Sequence, residues 1–193
     1  RTIAGGGPAA VRRVHDDLVQ SLAEDIQKYR GTSDIEYLEA AFAALPMHYG
    51  RRFKYEGFAP GYPSSRMKDA LGKLEAAMLV TRVQPTSSRE MPLRPRARSA
   101  PKLLPLDTGL ALRSLGVTGG LAPGASLDSV LDGRLAEMVA GLGLLASGRG
   151  AEGLFFWTRE GSEGSAEVDY LLPVEGGAIP VEVKAGTAGP LSS

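Results

Sequence analysis

The stretch "AEVDYLLPVEGGAIPVEVKAG", residues 166–186, decides how the C-terminal half of this chain is read. Two apolar runs flank a Gly-containing turn, which predicts an antiparallel hairpin with strands over 167–172 and 179–185. Charge interrupts both runs: Asp169 in the first, Glu182 and Lys184 in the second. Burying charge in a strand is costly unless the charge is paired or held by a metal. A strand alternates its faces, so Glu182 and Lys184 project to one side while Val181, Val183 and Ala185 project to the other. Pairing of the two strands would set Asp169 beside Glu182. Adjacent carboxylates repel and are stabilised by a divalent cation. Mg2+ suits such a pair, because it takes one or two carboxylates and completes its shell with water and phosphate oxygens. Lys184 would then orient or deprotonate an attacking water, or stabilise a pentacovalent phosphate. The same spacing equally describes an exposed strand face on which Lys184 pairs with Glu182 or Asp169.

Upstream, "GRLAEMVAGLGLLAS" reads as a helix with Leu135, Met138, Val139 and Leu142 on one stripe, Asp132 as its cap and Glu137 as a further carboxylate. "LFFWT" (154–158) is a third strand, its continuous apolar run suited to a core; the other use of Phe155, Phe156 and Trp157 is stacking on bases. Nearer the N-terminus, Val11, Val14, Leu18, Leu22 and Ile26 mark a helix over 9–29. Ser33 or Asp34 caps a second helix that carries Ile35, Leu38, Phe42 and Leu45 and ends before Pro46. A third runs from Ser65 to Met78 with Met67, Ala70, Leu71, Leu74 and Met78 inward. "LVTRVQPTS" and "KLLPLD" then read as strands around the Pro-rich "SSREMPLRPRARSAP", and "LDTGLALRSLGV" as a strand end and short helix. Helices followed by a hairpin with a long basic loop follow the order of a winged helix. In that arrangement Arg66, Lys68 and Lys73 of the third helix would face a major groove, and Arg94, Arg96 and Arg98 of the loop would touch phosphates. A helical adaptor that packs only on protein has the same order.

The chain has 193 residues, 43% of them hydrophobic, and no Cys, which excludes disulfides and thiolate metal sites. No apolar run is long enough to cross a bilayer, and "RTIAGGGPAAVRR" lacks a signal-peptide core, so a cytoplasmic protein is expected. The formal net charge is zero, but residues 47–102 hold 12 Lys and Arg against 4 Asp and Glu, leaving the remainder acidic. A basic middle of this kind suits a polyanion such as DNA, or simply a solvated loop. His15 and His48 lie far apart and read as solvated surface rather than as a metal pair.

The order "GRLAEMV", "FFWTRE", "AEVDY", "IPVEVKAG" resembles the C-terminal region of a family of prokaryotic AAA-type ATPases, in which a P-loop ATPase is followed by a winged helix and a domain similar to PD-(D/E)XK nucleases. "GGGPAAV", "SLAEDIQKY", "YPSSRMKDALGKLEAAMLV" and "KLLPLDTGL" resemble the preceding segments of the same region. The resemblance implies an α+β chain: a linker and helix over 1–30, a winged-helix domain over 31–106, and over 107–193 a helix plus small mixed sheet like a C-terminally truncated nuclease fold. It makes Asp169 and Glu182 the metal-binding carboxylates, Lys184 the motif lysine and Glu137 the helix carboxylate of a Mg2+-dependent phosphodiesterase. Its partners would be DNA and the ATPase module of the parent protein, with no membrane. No G-x-x-x-x-G-K-[ST] occurs, so no nucleotide site is expected, and Gly5, Gly6 and Gly7 read as a connector. The competing expectation is a catalytically inactive interaction or regulatory appendage of the ATPase.

Overall fold

A computed structural model of the chain describes residues 7–28, 34–96, 99–117, 133–148, 153–161 and 164–184. Helix α1 (Pro8–Gln27) begins with Pro at its first turn, where the missing N–H costs nothing. It lies against α2 (Ile35–His48) and α4 (Thr108–Ser114). Ile26 is buried, but Leu18 of the anticipated stripe is exposed. Helix α2 does not stop before Pro46; it continues to His48. The lost backbone hydrogen bond is offset there: Leu45 is buried, and the His48 ring stacks on Phe58 with centroids 4.0 Å apart while Nε2 donates to the Phe58 carbonyl at 2.9 Å. His48 is therefore packed rather than solvated.

Helix α3 (Ser64–Ala76) buries Met67, Ala70, Leu71 and Leu74. Beyond its C-cap, Met78 N–H bonds Glu75 O and Leu79 N–H bonds Leu74 O, the paired bonds of a Schellman ending. That motif puts Met78 in the left-handed region (φ 59°), and its side chain is 77% exposed rather than inward. Strands β1 (Val80–Thr86) and β2 (Lys102–Pro105) pair antiparallel. Before α3, Tyr49 and Arg52 bridge to Leu103 and Lys102, laying residues 49–52 along β2. Asp107 caps α4 by accepting from Leu110 N at 2.9 Å.

Helix α5 (Arg134–Ala146) starts after Gly133 in the left-handed region (φ 76°); Asp132 lies outside the described residues. Its inward residues are Met138 and Gly141, flanked by partly buried Leu135, Leu142 and Leu145, whereas Val139 is exposed. Strands β3 (Phe155–Gly161), β4 (Gly164–Val174) and β5 (Gly177–Val181) follow. One mixed sheet runs β2-β1-β3-β4-β5, with β1 and β3 parallel and the other pairs antiparallel. The described residues thus form an α+β structure of five helices and five strands. The parallel pairing of β1 with β3, Gln84 against Phe155, joins the hairpin to the C-terminal strands. Met67, Leu71, Leu103, Leu104, Met138, Phe156 and Tyr170 share one core.

Strand β5 is shorter than its sequence suggests. Tyr170 pairs with Val181, a register that would next oppose Asp169 and Glu182, but the ladder stops there. Asp169 Oδ2 instead accepts the Val183 N–H at 2.8 Å. A side chain has taken the hydrogen bond that a further strand pairing would use.

Candidate functional site

The site is built around a lysine. Lys102 opens β2, and its side chain is only 7% exposed. Its Nζ donates to Glu137 Oε2 at 2.8 Å, lies 2.5 Å from Glu167 Oε1 and 3.7 Å from Asp169 Oδ1, and stands 5.2 Å from the centroid of the Phe156 ring. Arg52, bridged to Lys102 through the backbone, adds a second cation. Its Nη2 donates to Glu167 Oε2 at 2.5 Å and to Thr158 Oγ1 at 2.6 Å, and its guanidinium lies 5.0 Å from the Phe156 centroid. Three carboxylates from α5 and β4 thus meet two cations from β2 and the segment before α3.

The local sequence explains how these groups converge. Glu167 and Asp169 are two apart on β4 and share a face by alternation. The β3–β4 register shifts between Phe155 and Trp157, which makes a bulge. Bulges re-aim side chains. Here consecutive residues both reach the same region: Asp169 toward Lys102, and Tyr170, whose Oη donates to the Glu137 carbonyl at 2.7 Å. The Tyr170 hydroxyl needs room against α5, and Gly141 supplies it: a Cβ there would sit 2.5 Å from Tyr170 Oη and 2.7 Å from Leu104 Cδ1. Arg134 Nη1 donates to the Tyr49 carbonyl at 3.0 Å, fixing the first turn of α5 beside the same segment.

Electrostatics follow from burial. Desolvation pushes the Glu137 carboxyl above its ordinary range against the opposing pull of Lys102, with Asp169 and Glu167 adding to the rise. For Lys102, burial disfavours the charge, but the hydrogen bonds of Glu137 and Glu167 override it and hold the ammonium above the usual lysine range. Burial likewise raises the Tyr170 phenol, so it remains a donor. An ammonium and a guanidinium stand against the carboxylates in this arrangement. Among the described residues no group of three His, Asp or Glu side chains is disposed to hold a metal.

Of the anticipated constellation, Asp169 and Glu137 come together. Glu182 and Lys184 do not join them: Lys184 is 85% exposed and Glu182 is 52% exposed, and their charges lie 3.5 Å apart on the segment after β5. Sequence reasoning missed Lys102, Glu167 and Arg52. A signal was available, since a lysine at the head of a short apolar strand and a glutamate two residues before Asp169 both place charge where burial is costly.

The anticipated phosphate contacts are also partly engaged. Lys73 Nζ lies 2.5 Å from Asp34 Oδ2, and Arg66 lies 3.5 Å from Asp34 Oδ1 with its guanidinium 5.2 Å from the Tyr37 centroid. Asp34 stands at the head of α2 but makes no side-chain capping bond there. Arg96 Nη1 donates to the Thr158 carbonyl at 3.4 Å. Lys68 and Arg94 are exposed; Arg98 lies outside the described residues.

Helices α1 to α4 and strands β1 and β2 fall within residues 4–120, which match a family model described as a domain of unknown function (DUF8612). The chain belongs to that family. The matched segment supplies Arg52 and Lys102, while Glu137, Glu167 and Asp169 come from the chain beyond it. No curated protein and no solved structure matches the chain. No helix among the described residues is long and apolar enough to cross a membrane.

Proposed function

We propose that this chain is a non-catalytic interaction and regulatory module of a AAA-type ATPase, in which a nuclease-like carboxylate cluster is closed by a lysine instead of a metal ion. The observation that carries the reading is the seat of Lys102: its ammonium bonds Glu137 and Glu167 and faces Asp169 from a nearly dry position. A divalent cation entering there would meet that charge, and Asp169 Oδ2 already accepts a backbone N–H. Glu182 and Lys184, the other half of the anticipated motif, pair with each other in solvent. The association with an ATPase rests on the resemblance of the motif order along the chain.

The test is a nicking assay on supercoiled plasmid in millimolar Mg2+ or Mn2+, with calorimetric titration of the same ions. The wild type, Lys102→Ala and Asp169→Ala are all expected to leave the plasmid intact, and the wild type to take up no ion. Nicking that disappears in Asp169→Ala would sink the reading.

A second reading, a Mg2+-dependent DNA-binding endonuclease, draws on one observation. Continuing the β4–β5 register by one pair would oppose Asp169 and Glu182, the two carboxylates such a site requires. In it Arg66, Lys68, Lys73, Arg94 and Arg96 contact phosphates, and duplex binding weakens steeply as salt rises. Nicking that needs both Asp169 and Lys184 would establish it.

A further inference from the structure

The segment joining β1 to β2 holds Arg89, Arg94, Arg96 and Arg98 against a single acid, Glu90. Most of residues 87–96 stand in water, as a segment so charged should, but the segment is fastened to the sheet at Leu93 and at its flanks. Leu93 is only 8% exposed and forms a small apolar cluster with Phe155 and Leu171, separate from the main core. Trp157 and Ala178 pack against that cluster. Trp157 Nε1 donates to the Ser87 carbonyl at 3.2 Å, and the Arg89 guanidinium lies 5.0 Å from the Trp157 centroid. Arg96 bonds the Thr158 carbonyl through its guanidinium and the Pro85 carbonyl through its backbone N–H, the latter at 2.6 Å. Arg94, between these fastenings, is exposed.

We propose that residues 87–96 form a strap whose closure on β3 and β4 competes with its use as an arm for the phosphate backbone of a nucleic-acid duplex. Closed, the strap commits Arg89 to an indole ring and Arg96 to a carbonyl. Open, it offers both guanidiniums, with Arg94, to phosphates. The physical basis for opening is the size of the fastening. One leucine seated in a satellite cluster of three buried residues is the kind of element that detaches before the core does. Pro92 and Pro95 limit the freedom the released segment gains, and so keep it extended enough to follow a backbone. The strap concerns binding only and stands or falls apart from the reading of the Lys102 cluster.

Leu93→Ser removes the apolar fastening without adding charge beside the arginines, and Trp157→Ala removes the second contact with Leu93 in place. The readouts are fluorescence anisotropy of a labelled DNA duplex across a salt series and limited tryptic cleavage after Arg89 and Arg96, the strap arginines not followed by Pro. Both variants should be cleaved faster than wild type. Leu93→Ser should bind the duplex at least about fivefold more tightly, and its slope of log K against log salt should steepen by about 2 as two more phosphates are contacted. Adding Arg89→Gln and Arg96→Gln should cancel the gain. Faster cleavage without tighter binding would overturn the proposal, as would unchanged cleavage in both variants. Equal tightening on polyglutamate would overturn the assignment to nucleic acid. A nicking assay that remains negative throughout leaves the preceding reading intact whichever way the strap behaves.

Discussion

Replacing Lys102 by Met isolates the charge at the centre of the cluster. The methionine keeps the length and apolar stem of the side chain and deletes only the ammonium. Glu137, Glu167 and Asp169 then lose the cation they share, while Arg52 stays 2.5 Å from Glu167. Stranding buried charge by removing one partner costs about 3–5 kcal/mol. With a urea dependence of about 2 kcal/mol per molar, the unfolding midpoint should fall by about 2 M with an unchanged slope. The pH dependence separates this cause from lost packing. Burial already holds Glu137 above its ordinary range, and without Lys102 the pull in the other direction is gone. A carboxyl with a raised folded-state pKa binds its proton better folded than unfolded, so the variant should regain stability as pH falls from neutral toward 4.5, the ordinary value for glutamate. Wild type should show a separate limb of the same sign at high pH. Its lysine is raised above 10.5, so the contribution is fully present below that value and is lost as pH climbs through the folded-state pKa. Lys102→Met should lack that alkaline loss, and adding Glu137→Gln should restore part of the neutral-pH stability. A cost below about 1 kcal/mol, or a cost equal at pH of about 5 and about 7, would refute the reasoning.

Other substitutions probe single contacts by urea denaturation. Gly141→Ala should cost about 1–3 kcal/mol, since its Cβ would fall 2.5 Å from Tyr170 Oη, and Tyr170→Phe in the same chain should recover part of the loss by removing that atom. Met78→Gly should stabilise by about 1 kcal/mol, because glycine occupies φ 59° without strain and the exposed side chain leaves nothing unpacked. Asp107→Ala should cost about 1 kcal/mol through the lost cap on α4. Glu182→Gln and Lys184→Gln should each stay within about 0.5 kcal/mol, as expected of an exposed pair. A large effect of either would show that the segment after β5 is packed.

Periodicity carried much of the fold. The stripes of α2 and α3, the hairpin turn at Glu175 and Gly176, and the run Phe155–Phe156 all report local burial, and local burial leaves a period in the sequence. What it could not carry are the ends and the meetings. Pro46 sits inside α2 because His48 finds Phe58, a contact a propensity argument does not contain. Met78 points outward because a Schellman ending reverses the chain just where the helical stripe would have continued. Val139 falls on the expected stripe of α5, yet the face that packs is centred on Met138 and Gly141, where Tyr170 approaches.

The charged trio shows the same limit in chemical form. Alternation correctly separates Glu182 and Lys184 from Val183, but it presumes that the strand continues. Asp169 ends that presumption by accepting the Val183 N–H, and the carboxylate anticipated as a ligand for a cation becomes the cap of a strand. The lysine that does approach Asp169 belongs to β2, far away in sequence, where a single charged residue at the edge of an apolar run carries no spacing motif at all. Spacing identifies charges that are neighbours along the chain. Which charges neutralise one another is set by β1 pairing with β3 and by α5 resting on Tyr170, and those contacts bring Lys102 to Glu137, Glu167 and Asp169. Charge inside a strand was therefore the right place to look, and the identity of the cation depends on the tertiary fold.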